Sequence, residues 1–187
     1  MTNSLVFEKN VLTEQFLIID FIPAILPIDY DKLKQHLLIA YYKNKKVGNE
    51  EIYYDYYYTQ YDYHQHIQWL QDYIRDHYKG EHHKTPILVN QGAVIQQKNE
   101  SIGNHHHIDD WDYNESPDIS ALICVEPGKE ASNVIFEYEA GRSKKRRWTI
   151  PLQKNKIILF SSDLTHRITK NINTDPIINI SFQFQLL

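Results

Sequence analysis

The spacing of apolar positions changes near the middle of the chain. Leu33, Leu37, Leu38 and Tyr41 recur at the spacing of one helix face, and Lys43, Lys45 and Lys46 ahead of Gly48 suit a helix C-terminus. A second stripe of Tyr63, Ile67, Leu70 and Ile74 predicts a helix ending near Gly80. Short apolar runs at 5–8 and 16–19, the second closed near Pro23, predict strands ahead of both helices. After Thr85-Pro86 the period shortens. Runs at 87–97, 119–125, 133–138, 148–151, 156–160 and 177–186 are β-branched or aromatic and separated by turn residues, so they predict strands. In the last run, alternation sets Ile177, Asn179, Ser181 and Gln183 on one face and Ile178, Ile180, Phe182 and Phe184 on the other.

This order predicts helices packed against an antiparallel barrel or sandwich. The expected organisation is one domain over residues 1–187, with a helix-rich supporting region at 1–85 and a strand-built core at 86–187. A chain of 187 residues that is 42% hydrophobic is long enough and apolar enough to bury a core. Its net charge of −4 gives no general electrostatic case for nucleic acid or membrane binding. The basic run Arg142-Ser143-Lys144-Lys145-Arg146-Arg147 is the local exception and reads as a solvated hairpin turn.

The single cysteine, Cys124, excludes an intrachain disulfide and points to a reducing compartment. Its neighbours Leu122, Ile123 and Val125 predict a buried structural thiol. No apolar run reaches the roughly 18 residues of a membrane span. The first apolar run is cut off at once by Glu8, Lys9 and Asn10, unlike a signal peptide, so a cytoplasmic location is expected. The 14 tyrosines, clustered at Tyr53-Tyr54 and Tyr56-Tyr57-Tyr58, fit a compositional bias; the sharper alternative is an aromatic binding strip. Neither a phosphate-binding glycine loop nor a nucleophile elbow is present.

Candidate chemistry sits in the second half. His107 and Asp109 are two positions apart, so on an extended chain their side chains point the same way. With His166, expected at the end of a strand, they form a set of two imidazoles and one carboxylate. Such a set can take one face of a ferrous ion and leave other positions open. His105-His106-His107 also offers a second frame, in which His105 and His107 are the chelating pair. His64, His66, His77, His82 and His83 read as helix-flank or loop residues.

Residues 90–184 resemble the Fe(II)/2-oxoglutarate-dependent oxygenases of double-stranded β-helix fold, in particular prolyl-hydroxylase-like and phage-type members. The matching stretches are His107-Ile108-Asp109, Ser120-Ala121-Leu122-Ile123, Val134-Ile135-Phe136-Glu137 and Phe160-Ser161-Ser162-Asp163-Leu164-Thr165-His166-Arg167-Ile168. The resemblance implies a jelly-roll, cupin-like core with the N-terminal helices packed on one face. It also implies His107, Asp109 and His166 as iron ligands, 2-oxoglutarate chelating the metal, and O2-dependent hydroxylation of a small-molecule or peptide substrate, such as a free or peptidyl amino acid.

One position departs from the family. Where the family carries Arg-x-Ser on its last strand to hold the distal carboxylate of 2-oxoglutarate, this chain has Asn179-Ile180-Ser181. Asn179 and Ser181 then stand at the co-substrate's place, and Arg147 and Arg167 are the candidate sources of the missing cation. The His105-x-His107 frame is similar to the cupins, whose later histidine-asparagine motif is nearly matched by His166 and Asn171. In the His107/Asp109 frame, His105 is a loop residue or touches ligands or substrate. A metalloprotein without 2-oxoglutarate, or a non-catalytic β-sandwich binding or virion module, are the alternative readings.

Overall fold

A computed structural model describes residues 15–22, 28–46, 57–59, 66–82, 84–108, 112, 116–139 and 145–187. The elements follow the order β1 (Leu17–Phe21), α1 (Tyr30–Lys46), β2 (Tyr57–Thr59), α2 (His66–His82), β3 (Pro86–Gln96), β4 (Ile102–His105), β5 (Ile119–Glu126), β6 (Asn133–Glu139), β7 (Lys145–Pro151), β8 (Lys156–Ser161), β9 (Thr165–Ile168) and β10 (Ile177–Leu186). Asp29 caps α1: its carboxylate accepts from the Lys32 amide at 3.1 Å and its carbonyl from Leu33 at 3.0 Å.

The strands form two sheets, a large one in the order β1-β8-β5-β10-β3-β2 and a small one in the order β4-β9-β6-β7. Among the described residues every strand pairing is antiparallel. This is the double-stranded β-helix expected. Alternation sorts each strand between two cores. On β10, Ile178, Ile180, Phe182 and Phe184 pack beneath the helices with Leu37 and Leu70. Between the sheets lies a second core that includes Leu122, Cys124, Phe136, Ile158 and Phe160. Cys124 is buried there, as its neighbours predicted.

Several boundaries differ from the sequence reading. The run at 16–19 becomes β1, which pairs with β8, so the N-terminal region contributes strands to the large sheet as well as helices. The short strands β4 and β9 were not predicted, because Ile-Gly-Asn-His and Thr-His-Arg-Ile carry too few apolar residues to show a period. As a correction, His166 does not end the 156–160 strand. A turn follows β8, and His166 lies inside β9. Part of the basic run, from Lys145 to Arg147, is strand and not turn. His82 closes α2 and is not a loop residue. The predicted strand at 5–8, Tyr63, His64 and His83 fall outside the described residues. No helix among the described residues is long and apolar enough to cross a membrane.

Candidate metal centre

The register of the small sheet places His105, His166, Phe136 and Trp148 side by side across β4, β9, β6 and β7. Below them, one strand step deeper, Ile102, Ile168, Val134 and Ile150 form an apolar floor. His107 joins from the bend after β4, where its backbone N–H donates to the Ser162 carbonyl at 2.8 Å. One ring nitrogen from each of His105, His107 and His166 lies within 4.8 Å of the others. An ion bound at about 2.1 Å to such nitrogens, at right or tetrahedral angles, needs them about 3.0–3.4 Å apart. Small ring rotations close that gap, so the three imidazoles fit a metal ion.

The hydrogen bonds around the rings decide which nitrogen faces the ion. His105 Nδ1 meets the Gly103 carbonyl at 2.9 Å, and His166 Nδ1 meets the Leu164 carbonyl at 3.0 Å. A carbonyl only accepts, so both Nδ1 atoms carry the proton and Nε2 holds the lone pair. His107 Nδ1 lies 2.6 Å from Ser120 Oγ, which lies 2.8 Å from Ser162 Oγ. With His107 Nδ1–H donating to Ser120 and Ser120 donating to Ser162, His107 also turns its Nε2 lone pair outward. Such partners behind the ligands fix ring orientation and basicity.

Burial keeps the rings neutral. It pushes His107 down to about 3, with the neighbouring His105 and His106 adding to the effect. His166 is held well below its ordinary value by burial first and by His107 and His105 second. Burial lowers His105 as well. Neutral imidazoles bind a metal without first losing a proton. Phe160, 4.8 Å from the His166 ring, and Phe136, stacked on it at 5.5 Å, pack against that imidazole. Tyr138 and Trp148 stack at 4.9 Å and 14° beside Phe136, both half-buried.

Of the residues singled out in the sequence, His105, His107 and His166 come together; Asp109 lies outside the described residues. Arg147 pairs with Glu137 at 2.7 Å. Both alternate with the inward Phe136 and Trp148 and so stand on the outer face of the small sheet. Arg167, next to the inward His166 and opposite Ile135, shares that outer face. Asn179 and Ser181 are buried on the inner face of β10. Both amide atoms of Asn179 lack a hydrogen-bond partner. The sequence reading missed the roles of Ser120 and Ser162. Ser120's only signal was a serine in the otherwise apolar run of β5; Ser162, in the polar turn after β8, gave none.

No protein-family model matches the sequence, and no curated protein sequence does. Solved structures do match. The viral collagen prolyl hydroxylase of Paramecium bursaria Chlorella virus-1, in complex with 2-oxoglutarate, superposes with a TM-score of 0.61 at 13% identity, covering 89% of this chain and 94% of that one. A Pseudomonas putida prolyl-4-hydroxylase gives 0.59 at 11% identity, with 90% and 87% covered. The epimerase SnoN with Fe3+, α-ketoglutarate and a nogalamycin compound gives 0.53 at 11%, with 89% and 78% covered. The fold of this chain is therefore that of the 2-oxoglutarate- and iron(II)-dependent oxygenases.

Proposed function

We propose that this chain is an iron(II)-dependent oxidative enzyme of that fold, with a 2-oxo acid as co-substrate and a small molecule or peptide unit as substrate. The observation that carries the reading is the convergence of His105, His107 and His166, each with its Nδ1 engaged and its Nε2 turned outward. Three protein ligands on one face leave positions open for co-substrate and O2. Iron(II) chelated by a 2-oxo acid supplies oxidative decarboxylation coupled to oxidation of a substrate C–H bond. Phe136 and Phe160 keep water from the His166 ring. The Tyr138–Trp148 stack offers a flat apolar wall for the substrate. Hydroxylation is the reaction we assign. Asp109 is proposed as the alternative third ligand, in place of His105, beside His107 and His166.

2-Oxoglutarate itself fits less well than iron does. Its distal carboxylate would meet Asn179, an uncharged amide, with Arg147 and Arg167 on the outer face. That mismatch, together with a third histidine in the cluster, favours a second reading: a cupin-type metalloenzyme that works without 2-oxoglutarate. Anaerobic titration with Fe(II), followed by millimolar 2-oxoglutarate, separates the two. One equivalent of iron and a visible chelate band support the oxygenase reading. Iron without a band from any 2-oxo acid moves the assignment to the cupin type. An absence of stoichiometric iron ends both.

A further inference from the structure

Asn179 is fully buried in β10, yet neither its Nδ2 nor its Oδ1 has a partner. A buried carboxamide in that state has lost its water and gained nothing in exchange, which native interiors rarely tolerate. Its strand neighbours fix where it points. Asn179 is the Cα partner of Cys124 and of Val94, whose side chains belong to the core between the sheets. Ile178 and Ile180, on either side of it, belong to the core beneath the helices. The amide therefore projects into the same inter-sheet space that receives the three histidines.

On β3 and β10 the row between them carries short side chains. Ser120, whose hydroxyl holds His107, is paired with Gln183. The next inward row holds Gly92, Ser181, Leu122 and Ile158, so its β3 and β10 members carry little or no side chain. The row after that holds Asn179. From Ser120 to Cys124 along β5 is about 13 Å at roughly 3.3 Å per residue. Side chains entering from both ends shorten that to the reach of a small extended molecule.

The chemistry of the orphaned amide specifies the end of that molecule. Asn179 needs both a donor and an acceptor. A carboxylate only accepts: it satisfies Nδ2 and sets a second negative oxygen against Oδ1. A cation could offset this, but the buried Lys156 of β8 is held at the Pro151 carbonyl, to which its ammonium donates at 2.8 Å. A carboxamide offers both roles at once and closes a ring of two N–H···O bonds with Asn179. Building on the oxygenase reading above, we infer that Asn179 sets specificity for a 2-oxo acid whose distal end is a neutral amide-like group.

The test compares two inert isosteres of a five-carbon 2-oxo acid, N-oxalylglycine and its primary amide, N-oxalylglycinamide. Each is titrated by calorimetry into protein loaded anaerobically with Fe(II). The amide is expected to bind at least about tenfold more tightly. Asn179→Ala should bring the two within about twofold, and Asn179→Arg should reverse the order. Asn179→Ser serves in place of a variant that fails to fold. Equal affinities in the unaltered protein, as when buried water satisfies the amide, overturn the inference. A preference that survives Asn179→Ala does the same. If iron binds and neither ligand does, the inference falls and the metal site stands. If iron does not bind, the metal reading falls. The same ordering is then required of the metal-free protein in a ligand-induced thermal shift, and its absence there overturns the inference.

Discussion

His105 and His166 are Cα partners on the antiparallel strands β4 and β9, with ring centroids 4.2 Å apart. Each ring gives its Nδ1–H to the carbonyl two residues before it, Gly103 for one and Leu164 for the other. The same local device thus fixes the same tautomer on both strands. Two imidazoles this close, and this buried, are poor neighbours as cations and good neighbours as metal ligands.

Metal affinity should therefore depend on all three rings. His166→Ala and His107→Ala are expected to abolish stoichiometric Fe(II) or Co(II) binding, and His105→Ala to weaken it by at least about a hundredfold, beyond the range for residues behind the ligands. Cobalt absorption spectra of the folded variants check the order. An Asp109→Ala variant that loses metal while His105→Ala keeps it would instead select the two-histidine, one-carboxylate set.

Ser120 acts through His107. Its hydroxyl holds Nδ1 of that ring at 2.6 Å and is itself held by Ser162 at 2.8 Å. Ser120→Ala leaves the buried His107 Nδ1 without its partner, at a cost of about 1–3 kcal/mol in stability. Metal affinity should fall about 10–100-fold. Ser162→Ala, one bond further away, should cost less on both measures. Denaturant unfolding and metal titration on the same samples separate positioning from folding.

Much of this was legible in the residue pattern, for physical reasons. Helices α1 and α2 carry stripes such as Leu33-Leu37 and Leu70-Ile74 that have no other use. Strands β5 and β8 are buried on both faces and read as nearly continuous apolar runs, and β10 read as an alternating one. The strands that carry the site did not read this way. In β4 and β9, the space that an apolar side chain would fill is given to His105 and His166, which removes the periodicity that would announce a strand. His105 was legible as a candidate from its place in a triple histidine; its cross-strand pairing with His166 was not, because register is a property of the sheet. Asn179 was legible as a departure, and its unpartnered state only in three dimensions.

The histidines also make stability depend on pH. His107 takes up a proton only near pH 3 in the folded protein, against an ordinary value of 6.5. His166 and His105 are lowered in the same direction. Between those limits the unfolded chain binds more protons than the native one, so stability falls as pH drops through that window. Metal-free protein should unfold at lower urea at pH 5 than at pH 7, a range in which ordinary carboxylates stay charged. His107→Gln should narrow the difference. An unchanged midpoint in the unaltered protein would mean that these rings are not held neutral.

Gly128 supports the chain opposite the site. It adopts φ +77, in the left-handed region, and a Cβ there would meet Asn173 Nδ2 at 2.5 Å. Asn173 has little freedom to retreat. Its Oδ1 accepts from the Glu130 amide at 2.7 Å, its Nδ2 donates to the Glu130 carbonyl at 2.9 Å, and its own amide donates to Asn171 Oδ1 at 2.8 Å. Gly128→Ala should therefore cost about 1–2 kcal/mol of backbone strain and about 1–3 kcal/mol for displaced buried hydrogen bonds. The combination with Asn173→Ala should cost less than the two separately, because the second change removes the atom that the new methyl strikes. Urea unfolding of the single and double variants measures this. Metal affinity in Gly128→Ala should stay within about twofold of the unaltered protein, since distant sites with no shared partners act independently. A large loss of metal there would show that this turn and the histidine cluster are coupled.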